Sequence, residues 1–165
     1  MTDHLANLNY QTYQIHLHWM AKARELATEA AQAGEIPVGA IIVDRDGKVI
    51  AQAANAKERD NDATAHAEIL AIRMAGKIKQ NWHLDDCTLY VTLEPCPMCA
   101  GAIVHSRINL LVYGADDPKT GAIQTVLNIP DSAASNHKLA VLGGVGEAQC
   151  RQQLQDWFAN KRRKK

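Results

Sequence analysis

The chain has 165 residues, 47% of them hydrophobic and 22% charged, which suits one globular domain with a real core and leaves little room for two. Eighteen Lys and Arg balance eighteen Asp and Glu, so no global charge draws the protein to nucleic acid, and no apolar run is long enough to cross a membrane. The opening MTDHLANLNYQTYQ lacks the basic stretch and apolar core of a secretory leader, so a cytoplasmic protein with reduced thiols is expected.

Residues 1–14 read as a flexible arm. From about His16 to Gly34, Met20, Ala23, Ala27, Ala30 and Ala31 recur near helical spacing, and Gly34 is a natural stop. Val38 to Val43 and Lys48 to Ala54 read as two strands. Between them Asp44-Arg45-Asp46-Gly47 is a hairpin signal, because Gly47 can take the positive φ such a turn needs. A polar loop, Asn55 to Ala63, leads to Thr64, a suitable N-cap for a helix ending near Ala75 and Gly76. TLYVT (88–92) is β-rich. Pro97 opens a small-residue helix to about His105, Leu110 to Tyr113 is a strand, and Leu139 to Leu142 is a short one. A last helix runs from Gly146 or Glu147 into the basic tail Lys161, Arg162, Arg163, Lys164 and Lys165. That tail takes five of the eighteen basic residues and leaves a mildly acidic body. Helices alternating with strands after an opening hairpin predict a mixed sheet covered on both faces.

Two short motifs carry chemistry. His66-Ala67-Glu68 opens one predicted helix, and Cys96-Pro97-Met98-Cys99 opens another directly after a strand. Cysteines at i and i+3 share one face of a helix turn, and the positive end of the helix dipole favours the thiolates that ligate metals. With His66 they make three ligands, one fewer than a closed structural zinc site, which leaves a position for water. Glu68, two residues from His66, can approach that water without ligating. A structural Cys₃His site completed by Cys87 is the alternative, but TLYVT would carry Cys87 roughly 15–20 Å from the far end of its strand. Cys87 and Cys150 read as buried thiols.

His-x-Glu followed downstream by Pro-Cys-x-x-Cys is the signature of the zinc deaminases. Over about Leu17 to Lys161 the sequence resembles the bacterial tRNA-specific adenosine deaminases. The likeness runs through GEIPVGAIIV, the Asn55 loop, TAHAEILAIR, TLYVTLEPCPMCAGAIVHSRI, YGADDPKTGA, Asn136-His137 and the closing C-x3-L-x2-W-F. Ile123-Gln124-Thr125-Val126 departs from the small polar residues that many members carry there.

The resemblance implies a three-layer α/β/α sandwich around a mixed sheet. It makes His66, Cys96 and Cys99 ligands of one zinc ion per chain, and Glu68 the acid/base. It gives Asn55 a hydrogen bond to a flipped base and Val38 a place in the pocket wall. Asp117, Lys119 and His137 fall where the family meets sugar or phosphate. The implied reaction is hydrolysis of adenosine to inosine in a tRNA anticodon loop laid across a homodimer. A small-molecule deaminase acting on guanine or cytosine, with the same zinc and Glu68, is the competing reading. An RNA-binding or structural-zinc protein without turnover is another, and it gives Glu68 no task.

Overall fold

The structure, a computed structural model, describes residues 9–164. Among them the elements are α1 (Tyr10–Gln32), β1 (Gly39–Asp44), β2 (Val49–Ala54), α2 (Lys57–Asp60), α3 (Ala67–Lys79) and β3 (Cys87–Leu93). There follow α4 (Pro97–His105), β4 (Leu110–Ala115), β5 (Ala140–Leu142) and α5 (Glu147–Arg163). The strands form one sheet in the order β2-β1-β3-β4-β5. β1 is antiparallel to both β2 and β3, and β4 is parallel to both β3 and β5. The antiparallel half follows from the hairpin, where Gly47 has φ +79° and donates its N–H to the Asp44 carbonyl at 3.0 Å. The parallel half follows from the α4 crossover between β3 and β4.

The period of two along each strand divides the core. Ala40, Ile42, Leu89, Val91, Leu111 and Tyr113 pack with Ala67, Ala71 and Ala75 of α3 and with Ala100 and Ile103 of α4. Ile41, Val43, Tyr90 and Val112 turn the other way, onto Met20, Ala23 and Leu26 of α1 and Cys150 of α5. The architecture is the expected three-layer α/β/α sandwich around a mixed sheet. Alanine stripes let the helices lie close. At Gly39 the approach is so tight that a Cβ would strike backbone atoms of Ala23 and Ala27 on α1.

Several boundaries differ from the sequence reading. α1 begins at Tyr10, where Asn9 accepts the Thr12 N–H at 2.8 Å, so Tyr10 to Gln14 are helical and not part of an arm; residues 1–8 lie outside the described residues. Asn55 to Ala63 holds one short helix, α2. Thr64 does not cap α3, because its own N–H and hydroxyl both donate to Asp62 Oδ1; His66 takes the N-cap instead. Gly76 lies inside α3, which ends at Gln80 in a left-handed turn (φ +50°). Lys161, Arg162 and Arg163 belong to α5 and Lys164 caps it, while Lys165 lies outside the described residues. No described helix is long and apolar enough to cross a membrane.

Candidate active site

β3 ends at Leu93, and Glu94 and Pro95 lead into Cys96, the N-cap of α4, with Pro97 in its first turn. Across the gap His66 is the N-cap of α3. Neither N-cap side chain bonds its own helix, so both are free to turn inward. His66 Nδ1 lies 3.7 Å from Cys96 Sγ and 3.5 Å from Cys99 Sγ, and the three donor atoms lie within 4.8 Å of one another. Tetrahedral zinc with bonds of about 2.3 Å to sulfur and 2.0–2.1 Å to nitrogen separates S and N ligands by roughly 3.5–3.6 Å. The donor set therefore fits zinc in both chemistry and spacing. Cys87 is buried at the opposite end of β3 and does not join the group.

The two thiols polarise one another. Hydrogen bonds from Cys99 and His66, working against burial, bring Cys96 down to about 4. The same hydrogen bond to Cys96, together with burial, pushes Cys99 up. Zinc would take both sulfurs as thiolates and release their protons on binding.

Glu68 stands at the second position of α3 and is 4% exposed. Burial pushes its carboxyl up to about 7. A carboxyl poised there can hold or release a proton at neutral pH. A cavity of about 160 Å³ joins it to His66 and Cys96, with Val38 and Asn55 on its walls. That is small beside the roughly 300–1,000 Å³ pockets of drug-sized ligands, and its scale suits a single heterocycle. Asn55 is 8% exposed, and its backbone N–H is taken by the Val38 carbonyl at 3.0 Å. Its side-chain amide has no hydrogen-bond partner among the described residues, so its edge is available to a ligand.

The remaining expected residues are spread out. Asp117 lines the cavity, yet its carboxylate is engaged in its own turn, accepting from the backbone of Lys119 and Thr120 and from the Thr120 hydroxyl. Lys119 is exposed and lines a neighbouring groove of about 590 Å³. His137 lies off the cavity, where Nε2–H donates to the Ile108 carbonyl at 2.6 Å and ties its loop to the start of β4. Sequence reasoning missed Lys57, Glu94 and Thr120, which also line the cavity. Lys57 lies within a loop that reads only as polar, and Glu94 reads only as part of the Glu-Pro-Cys-Pro turn.

Two hollows flank the metal-site cavity. One of about 320 Å³ shares Asn55 and Lys57 with it and extends to Trp157, Phe158, Lys161 and Arg162 of α5. Phe158 and Arg162 also line the Lys119 groove. Lys161 Nζ sits 4.5 Å from the Trp157 ring centroid. The mouth of the cavity is thus rimmed by aromatic and basic side chains, a surface suited to stacking bases and holding phosphates.

Comparison with known proteins agrees with this geometry. A profile of the MafB19-like deaminases matches residues 14–161. The tRNA-specific adenosine deaminase of Haemophilus influenzae is 49% identical over 146 residues, covering 88% of this chain and 84% of that protein. The tRNA-specific adenosine deaminase of Bacillus subtilis is 44% identical over 147 residues, covering 89% and 91%. A solved structure from work on A-to-I editing by tRNA:A34 deaminases at the wobble position superimposes with a TM-score of 0.80 at 42% identity, covering 83% of this chain and 99% of that one. The chain belongs to the tRNA-specific adenosine deaminases, within the cytidine/deoxycytidylate deaminase superfamily.

Proposed function

We propose that the protein converts adenosine to inosine at the first anticodon position of tRNA, with water as co-substrate and ammonia as the second product. One observation carries the reading: three zinc-type donors lie together, and two of them, His66 and Cys96, open with a buried carboxyl into a cavity the size of one base. His66, Cys96 and Cys99 would hold the zinc, which when bound supplies Lewis-acid activation of water near neutral pH.

The chain's own residues do the rest. Ile36, Val38 and Leu93 give the ring apolar surface, and the free Asn55 amide pairs with its edge. Glu68 takes the proton that water gives up as its oxygen bonds C6 and passes it to ring N1. It then takes the proton of the new C6 hydroxyl and hands it to the departing amine, which leaves as ammonia when the C6 carbonyl forms. Burial keeps the Glu68 carboxyl near 7, where these transfers are accessible. An extruded nucleotide brings its neighbours onto the α5 rim, where Phe158 can stack and Lys57, Lys119, Lys161 and Arg162 meet phosphates, with His137 available further along the RNA. A tRNA substrate places this work in the cytoplasm. A homodimer across the α3/α4 face is supported by the exposed apolar surface of Met74, Ile78, Trp82 and Met98.

The test is purified, zinc-loaded protein incubated with tRNA bearing adenosine at that position, beside free adenine, guanine and cytidine. Inosine in the tRNA with the small molecules untouched is the expected result. Turnover of a free base with unchanged tRNA would replace this reading with the small-molecule one.

A further inference from the structure

Glu94 stands beside the donor site without belonging to it. It is 2% exposed, and its carboxylate is the hub of one downstream segment. Oε1 accepts the backbone N–H groups of Ile123 at 3.2 Å, Gln124 at 2.9 Å and Thr125 at 3.0 Å. Oε2 accepts the Asp117 N–H at 3.1 Å and the Thr125 hydroxyl. The neighbouring Pro95 carbonyl takes the Ala122 N–H at 2.9 Å. The fit leaves no slack at Gly121, where any side chain would collide with the Glu94 carboxylate and the Asp117 carbonyl.

A carboxylate offers about four lone-pair sites, and five donors already converge on this one. It has no acceptor left for a substrate proton. What it does hold is a wall: Asp117 and Thr120, both on the segment it gathers, line the cavity. We propose that Glu94 is a positioning residue that fixes residues 117–125 against the turn carrying Cys96. In this way it sets how well the substrate is captured, and the proton transfers stay with Glu68. The proposal rests on the deaminase reading above.

The test is Glu94→Gln in the full-length, zinc-loaded protein. The substituted amide turns an N–H₂ toward donors that need an acceptor, so buried N–H groups lose partners. Hydrogen exchange should accelerate about tenfold or more at the amides of Asp117, Ile123, Gln124 and Thr125, with the sheet itself unchanged. Zinc per chain should hold. KM for an anticodon stem-loop RNA should rise roughly tenfold while kcat changes much less. Glu94→Asp, one methylene shorter but fully acceptor, should recover part of both effects. Unchanged exchange in 117–125 would overturn the proposal, and so would a collapse of kcat at constant KM. Should Glu94→Gln fail to fold, Thr125→Val removes one donor only, and smaller changes in the same direction are expected; unchanged exchange and KM there would equally overturn it. The exchange measurement needs no RNA, so an enzyme inactive on RNA would sink the functional reading and leave this test standing.

Discussion

The cavity has two walls, built by different means. On one side helix ends do the work: His66 caps α3, Cys96 caps α4, and Cys99 and Glu68 follow within a turn. On the other side Asn55, Lys57, Asp117 and Thr120 lie on chain that buried carboxylates gather in. Glu35 accepts the Arg59 N–H at 2.8 Å and steadies α2 beside Lys57, and Glu94 holds 117–125. The same contrast separates the two carboxylates nearest the site. Burial dominates at Glu68 and lifts it to about 7. Burial also opposes charge on Glu94, but hydrogen bonds from Thr125, Gln124 and Asp117 outweigh it and hold that carboxyl below its usual range. One group is left able to trade a proton, and the other is locked as an anion. Under the proposed function, reaction groups sit on rigid element ends and recognition groups on tethered chain.

That division can be broken at either wall. The largest effect is expected on the helix-end side: replacing His66, Cys96 or Cys99 with Ala should remove both zinc and activity, whereas Cys87→Ser should keep both. Metal analysis of folded protein checks this, and zinc missing from Cys87→Ser would point to a structural site. Across the cavity, Asn55→Ala deletes the hydrogen bond to the base that the proposed function assigns it. It should slow single turnover about 10- to 100-fold with RNA affinity nearly intact, because phosphate contacts supply most of the grip. An unchanged rate at saturating RNA would reduce Asn55 to a turn residue.

Further out, Lys161→Ala combined with Arg162→Ala should leave zinc and chemistry in place. The slope of log affinity against log salt should become shallower by roughly 0.7–0.9 for each phosphate no longer neutralised, which anisotropy over a salt series reads directly. Superimposable curves would remove α5 from the RNA surface.

The smallest effect lies away from both walls, at His16. This side chain is buried between α1 and the sheet, with Nδ1 2.9 Å from the Tyr90 hydroxyl, and desolvation lowers its pKa below 6.5. A lowered folded value means that the unfolded chain takes up the proton first. The contribution to stability is therefore present above about pH 6.5 and is lost as pH falls from there through the folded value. Urea midpoints should drop between about pH 8 and pH 5.5, and His16→Gln should shrink that drop. An equal drop in both proteins would discount His16.

The helix-end wall was legible in the sequence because its signals are local. Glu68 stands two positions after His66 and Cys99 three after Cys96, and Pro97 marks where α4 starts. The order of strands and helices was readable for the same reason. The loop wall was not, since the donors to Glu94 lie 23 to 31 residues downstream and no short pattern links them. Ile123-Gln124-Thr125-Val126 stands out as a departure, and the structure gives two of its side chains work: Thr125 bonds Glu94 and Gln124 bonds the Tyr113 hydroxyl. Thr64 misleads as a helix start because Asp62 claims its hydroxyl. Gly76 misleads as a stop because a helix tolerates one glycine at a cost of about 1 kcal/mol when its far end is otherwise secured. The early start of α1 is marked by Asn9, but the buried side of its first turns is carried by His16, which apolar periodicity passes over.

The most direct test of the division is single turnover by Glu68→Ala on an RNA stem-loop presenting adenosine at the first anticodon position, with zinc content and RNA affinity measured on the same sample. In the proposed mechanism Glu68 moves protons and holds neither metal nor RNA. Zinc and affinity should therefore stay at wild-type levels while inosine formation falls by at least about 10²–10⁴, the usual worth of a positioned acid/base. Inosine appearing within about tenfold of the wild-type rate, with zinc in place, would contradict the account by showing that the proton is carried by some other group.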